Sequence, residues 1–405
     1  MEKEPYFVHF RPSHMKHWRS YTDRQKPAYI RETIPAELNA DMVVVIPCFD
    51  EPALFETLHH LHAIVRPKAN VVIMVVINSG EHSNESAVLQ NRLTYEQLLL
   101  FAGKMSEPGF HFFPLLFEQL PRKHAGVGLA RKIGMDLAVA HFLHNDKHRG
   151  ILISLDADCT VSDNFMVSVY EAFAVNERLN ATVHHFYHRV AKNDPQLEHA
   201  VRQYEDYIRY FREMLQHTGF PCYYHTIGSA FAVTADAYVR VGGMGRQQGG
   251  EDFYFLQKVF ALGNVRELNN AVVYPMARFS DRVPFGTGPA LKKIMAEPDG
   301  IMNVYSRRSF YELKRLFDML ESFHGMGEEE LISMIQKLDN SLVEFLMMND
   351  FTVEVADCNR NSASTASFKK RFFHHFNAFR IIKYLNFVHP DPFPYEKLHF
   401  IADKY

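Results

Sequence analysis

Residues 151–158 read Ile-Leu-Ile-Ser-Leu-Asp-Ala-Asp. The first five fit a short strand buried on both faces, and two carboxylates follow it at once. Open α/β sheets bind their ligands beyond the carboxyl ends of the strands, so Asp156 and Asp158 stand where a ligand is expected. Such a pair can hold a hard divalent cation that bridges the oxygens of a diphosphate. It also fits a plain surface turn with two solvated acids, because aspartate favours turns.

Working back from this stretch, the same alternation recurs. Met42–Ile46 (MVVVI) is wholly apolar and ends at Pro47, and Val71–Ile77 (VVIMVVI) is a second buried strand. Between them Leu54, Leu58, Leu61 and Val65 repeat at helical spacing. Phe110–Phe117 reads as a third strand, Gly126–Phe142 as a helix entered through glycines, and Ile151–Leu155 as a fourth strand. Strands alternating with helices predict a doubly wound α/β sheet. Working forward, residues 181–188 suit another strand, and Gln196–His217 a long helix with Val201, Tyr204, Ile208, Phe211 and Leu215 on one face. Beyond about residue 290 the periodicity is almost entirely helical, which predicts a helical C-terminal extension.

The bulk properties narrow the class. The chain has 405 residues, 47% of them hydrophobic and 22% charged, a balance that supports a globular core without disulfides. A net charge of −3 gives no global electrostatic case for nucleic acid as a partner. Cys48, Cys159, Cys222 and Cys358 form neither a redox pair nor a zinc spacing, which predicts a reducing compartment. With no leader-like N-terminus and no apolar run of spanning length, the expectation is a cytoplasmic protein without a transmembrane segment. The 34 Phe and 19 Tyr against a single Trp fit a packed core, with a sugar-binding surface as the alternative.

A second acidic signal is Gly249-Gly250-Glu251-Asp252, followed by Phe253, Phe255, Leu256 and Val259 at helical spacing. Two acids at a helix start serve as cap and dipole complement. A carboxylate fixed there, beside glycines that admit a ligand to the backbone, is also suited to take a proton from a hydroxyl.

Read in order, VVVIPCFDEP, VVINSG, GVGLARKIG, LDADC and GGMGRQQGGEDFYF resemble the successive blocks of glycosyltransferase family 2, over roughly residues 42–285. The resemblance implies a GT-A fold: a Rossmann-like, mainly parallel mixed sheet flanked by helices. It implies a nucleotide-sugar donor, with a UDP-sugar first in line, and Mn²⁺ or Mg²⁺ as cofactor; the acceptor stays open, a glycan and a lipid-linked molecule being the candidates. Pro47, Phe49, Asp50, Glu51, Asn78, Arg131, Asp156 and Ala157 are implied to line the nucleotide sugar. Asp156 and Asp158 are implied to face the metal, Asp252 to be the general base of an inverting displacement, and Glu251 to contact the acceptor. On this scheme residues 1–40 form an N-terminal arm, 41–165 the donor half, 166–290 the acceptor half and 291–405 the extension.

The chain departs from the family pattern in places. Asn78-Ser79-Gly80-Glu81 stands where the family has Asp-Asp-Gly-Ser, so the carboxylate expected to read the base or ribose is missing. Lys132 replaces an asparagine after Ala130-Arg131, and a second cation there suits phosphate. Neither the Gln-x-x-Arg-Trp signature nor the membrane helices of processive synthases occur, which implies a single addition. Asp281 stands where many members place a further metal ligand, with a mixed-charge surface loop as the equal alternative. Val283–Gly288 fits either a closing loop or a turn.

The histidines at 184, 185 and 188 would need both faces of one strand to share a metal, so structural roles are expected. Phe368–Phe387 combines five basic residues with many aromatics, which fits peripheral membrane contact or a packed helix with snorkelling cations. LDADCTV also resembles the Asp-x-Asp-x-Thr motif of haloacid-dehalogenase-like phosphatases, with Asp156 as nucleophile. A third reading is an inactive transferase fold that only binds a nucleotide sugar.

Overall fold

The computed structural model describes residues 12–25, 32–190, 194–278 and 287–398. In chain order its elements are α1 (Pro12–Gln25), β1 (Met42–Cys48), α2 (Leu54–Ala63), β2 (Val71–Gly80), α3 (Glu85–Met105), β3 (Phe110–Leu120), α4 (Val127–His144), β4 (Ile151–Ser154), β5 (Thr160–Val161), α5 (Phe165–Val175), β6 (Ala181–Phe186), α6 (Pro195–His217), β7 (Phe231–Thr234), α7 (Ala235–Arg240), α8 (Glu251–Phe260) and β8 (Val265–Tyr274). Further helices follow from Thr287 to Phe387.

β1, β2 and β4 are buried at every position. A parallel strand covered on both faces has no solvent side for polar residues, which is why these three read as unbroken apolar runs. The eight strands form one sheet in the order β3-β2-β1-β4-β7-β6-β8-β5. The pairs β1–β2, β2–β3, β1–β4 and β6–β8 are parallel, and β4–β7, β6–β7 and β5–β8 are antiparallel. The expected mixed, mainly parallel α/β sheet with helices at the C-terminus is what forms. After β1 the chain crosses to β2 and β3 on one side and then returns to β4 on the other. That reversal makes the carboxyl ends of β1 and β4 the switch point at which such sheets take their ligands. Val44, Ile46, Leu58, Ile73, Ile153 and Phe165 belong to the core beneath it.

Among the elements that the sequence does not reveal are α3, β7 and β8. α3 carries only a weak apolar stripe, with Leu89, Leu93 and Leu100 exposed. β7 has four residues, and β8 mixes buried Leu268 and Ala271 with exposed Arg266, Asn269 and Asn270. The two strands are fixed by their pairing partners rather than by their own pattern, and α3 by the strands it packs on.

The chain divides into two compact units, one of Met1–Tyr187 with Thr226–Met276 and one of His188–His225 with Ala277–Tyr405. The first holds the sheet. In the second, Leu197, Ala200 and Val201 of α6 pack with Ala277, Leu291 and Ile294. Its stretch 368–387 is two helices, Thr365–His375 and Ala378–Phe387, and the Asn377 side chain caps the second by accepting the Arg380 N–H at 3.2 Å. Phe368, Phe372, Phe376 and Tyr384 are buried. Lys369 pairs with Glu321 at 2.7 Å, Arg371 with Asp357 at 3.1 Å, and Arg380 with Glu354. The aromatic content of this stretch is therefore mainly core, and three of its cations are neutralised within the unit. Among the described residues no helix is long and apolar enough to cross a membrane. None of the four cysteines forms a disulfide.

Candidate active site

The centre of the site is a buried arginine. Arg131, on the second turn of α4, directs one guanidinium nitrogen to Asp156 after β4 and the other to Glu251 at the start of α8. Its side chain is 5% exposed and that of Glu251 is 2%, while Asp156 keeps 38% exposure. A guanidinium is suited to this because its planar fork can serve two carboxylates at once. Burial alone would weaken its charge, but Asp156, Glu251 and Asp252 together outweigh that and raise its pKa. The two acidic motifs, about a hundred residues apart in sequence, thus share one cation.

α8 begins where the sequence placed it. Gly250 takes a left-handed conformation (φ 73°) as the residue before the helix, which a side chain would strain, and Glu251 and Asp252 form the first turn. The Asp252 carboxylate accepts the Phe253 N–H at 2.8 Å. Burial, with the charge of Glu251 next, pushes its carboxyl up to about 6, although Arg131 pulls the other way. A carboxylate tuned to that range ionises near neutral pH and remains basic enough to accept a proton.

Glycine lets these groups close up. A methyl on Gly228 would lie 2.8 and 2.9 Å from the two terminal nitrogens of Arg131 and 2.9 Å from Asp252 Oδ2. One on Gly128 would collide with the Gln247 carbonyl and lie 2.9 Å from Glu251 Cγ. Gly228→Ala is therefore expected to displace the Arg131 and Asp252 side chains and to lower activity at least about tenfold, by analogy with other small misplacements of reacting groups. Circular dichroism should show the fold retained; wild-type turnover in this variant would mean that the contact has no catalytic weight.

The remaining sequence-chosen residues fall around the carboxyl ends of β1, β2 and β4. Pro47 lies in β1, and Phe49 and Asp50 are half-buried in the turn after it. Asp50 has a positive φ of 46°, and its N–H donates to Asn91 Oδ1 at 2.9 Å. Glu51 is buried and accepts the Ala53 N–H at 3.0 Å, at the entry to α2. Asn78, 4% exposed, donates to the Gly126 carbonyl at 3.4 Å, tying β2 to the entry of α4. The Ala157 carbonyl accepts from Thr57 Oγ1 at 2.9 Å. Asp158 is half-buried, with Cys159 Sγ donating to its Oδ1 at 3.7 Å.

Two supporting residues escaped the sequence reading. Asn91 of α3 bridges the Asp50 N–H and the Asn78 carbonyl, and Thr57 of α2 holds the backbone between the two aspartates. A buried asparagine or threonine on a helix carries no motif, so nothing in the sequence marks either. Lys132 corrects an expectation. Its ammonium lies 2.9 Å from Asp136 Oδ2, and Asp136 also accepts from Tyr21 and Tyr238, each at 2.8 Å. That charge is committed to a buried network rather than offered to phosphate.

Asp281 and the glycine-rich stretch up to residue 286 lie outside the described residues. The three histidines each meet a partner within the protein. His184 Nε2 meets Thr182 Oγ1 at 3.0 Å and its ring packs on Phe165, His185 packs on Tyr187, and His188 meets Glu205 at 3.0 Å. Among the described residues no group of three or more His, Cys, Asp or Glu could hold a metal. The carboxylates of Asp156 and Asp158 still fit a cation that takes one or two protein oxygens and completes its shell with phosphate and water, the habit of Mg²⁺.

No family model matches the chain, and no curated protein matches it. Among solved structures it is similar to residues 1–349 of S. aureus TarS in complex with UDP-GlcNAc, at 12% identity over 84% of this chain and 91% of that chain, with a TM-score of 0.39. It is also similar to glucosyl-3-phosphoglycerate synthase from Mycobacterium tuberculosis in complex with Mn²⁺, UDP and phosphoglyceric acid, at 12% identity over 62% of this chain and 78% of that chain, with a TM-score of 0.35. At this degree of similarity, function has to be read from the residues themselves.

Proposed function

We propose that the chain is a GT-A glycosyltransferase of the family 2 type. It would move a single sugar from a nucleoside-diphosphate sugar to an acceptor hydroxyl, with inversion. The observation that carries this is the convergence of Asp156, Arg131, Glu251 and Asp252 beside the carboxyl end of β4. A strand-end carboxylate pair suits a cation-bound diphosphate, and a neighbouring carboxylate of raised pKa suits a base for the incoming hydroxyl.

In this reading Asp156 and Asp158 would hold Mn²⁺ or Mg²⁺, whose chemistry when bound is Lewis-acid screening of the diphosphate. Arg131 keeps Asp156 and Glu251 in place. Asp252 accepts the proton as the acceptor oxygen attacks the anomeric carbon and the bond from that carbon to the nucleoside diphosphate breaks, while Glu251, buried against Arg131, holds the guanidinium beside them. The phosphatase alternative requires Asp156 as a free nucleophile, whereas Arg131 engages one of its oxygens.

The first test is a thermal-shift screen of nucleoside-diphosphate sugars, starting with UDP-sugars, with and without Mn²⁺. The best ligand is then followed for release of its nucleoside diphosphate. Stabilisation by none of them, with or without metal, would end the reading. Asp158→Ala should weaken the Mn²⁺-dependent part of UDP binding at least about tenfold by calorimetry, in line with loss of one of two protein ligands. Equal UDP affinity in the variant and the wild type would remove Asp158 from the metal.

A further inference from the structure

In the second unit a chain of aromatic rings runs along α6 and the C-terminal segments. Tyr207 and Phe211 of α6 have ring centroids 6.2 Å apart, Phe211 and Tyr305 6.4 Å, and Tyr305 and Tyr395 5.9 Å. His389 lies 5.0 Å from both Tyr305 and Tyr395. These rings are not sealed core: Tyr207, Phe211 and Tyr305 are half-buried and Tyr395 is 46% exposed.

Their hydroxyls are grouped as well. The charges that Tyr204, Tyr210, Tyr305 and Tyr395 would carry all reach the Tyr207 phenol, which burial pushes above its ordinary range. Tyr210 donates to the Tyr305 carbonyl and Tyr305 to Asn386 Oδ1, each at 2.6 Å. The Tyr207 and Tyr395 hydroxyls have no hydrogen-bond partner among the described residues.

Apolar ring faces flanked by hydroxyl and amide groups match a pyranose, which presents a C–H face and a rim of hydroxyls. The geometry points to a carbohydrate-binding site on this wall, with Tyr395 as the stacking platform, Tyr207 as a hydrogen-bond partner and Asn386 at the rim. Its residues all belong to the second unit, and none of them is among those proposed for sugar transfer. Only its use for an acceptor glycan would rest on that reading.

The test needs neither donor nor turnover. Maltohexaose, cellohexaose and chitohexaose are titrated separately into the full-length chain carrying Asp252→Asn, and saturation-transfer NMR and calorimetry are recorded. At least one hexaose should bind with a Kd of millimolar order or tighter, as weak sugar sites do. Tyr395→Ala should weaken it at least about fivefold and Tyr207→Phe about threefold, the factors lost with a stacking face and one hydrogen bond. Tyr207→Phe keeps the ring, and Tyr395 is exposed enough for truncation, so unfolding does not confuse the result; unchanged melting temperatures check this. Binding of none of the three, or binding untouched by both substitutions, would overturn the site. Donor binding in the same samples tests the transferase reading separately.

Discussion

Replacing Asp252 by asparagine is expected to lower the rate of sugar transfer by about 10² to 10⁴, the usual contribution of a well-placed general base. Binding of the nucleotide sugar should be retained, because the change removes proton acceptance and little volume. The wild-type pH profile should carry the same signature. With the Asp252 carboxyl pushed up to about 6 by burial and by Glu251, kcat/KM should fall about tenfold per pH unit below that value, as the base becomes protonated.

Stability should move the other way. A carboxyl whose folded pKa lies above its unfolded value favours the fold while protonated, and that contribution disappears as pH rises through about 6. The neutral amide should therefore stabilise the chain at pH 7.5 by on the order of 1–3 kcal/mol and bring no gain near pH 4. Urea unfolding at the two pH values measures this. Full transfer activity in the variant, or a gain independent of pH, would take the base role away from Asp252.

The larger structural effect should come from Arg131→Met. Removing the cation leaves Glu251 buried, with Asp156 and Asp252 beside it and no other cation paired with them among the described residues. Breaking a buried ion pair by deleting one partner costs about 3–5 kcal/mol, and activity should vanish with the geometry. Arg131→Lys should not rescue it, since a single ammonium cannot span two carboxylates as a planar fork does. Chemical denaturation, with donor binding on the folded fraction, checks both. A lysine variant of wild-type stability and turnover would show that the bridge is dispensable.

Arg131 also marks how far the sequence could be read. The resemblance of GVGLARKIG to a family block implies an arginine near the nucleotide. Its pairing with Glu251, 120 positions later, has no local trace. Lys132 shows the converse: adjacent in sequence and equally basic, it points into another network because neighbouring residues on a helix face different directions.

The apolar runs at β1, β2 and β4, the acids at 156 and 158, and the glycines before 251 and 252 were determined by the sequence itself. Period and composition report how a segment is covered, and turn residues report where it must bend. The tertiary structure alone decided the strands β7 and β8, the clamp of Asn91, the glycine contact at 228 and the sharing of one guanidinium by two distant carboxylates. Those depend on which surfaces meet after the chain has crossed the sheet, and the energy of a buried charge is set by neighbours in space rather than in sequence.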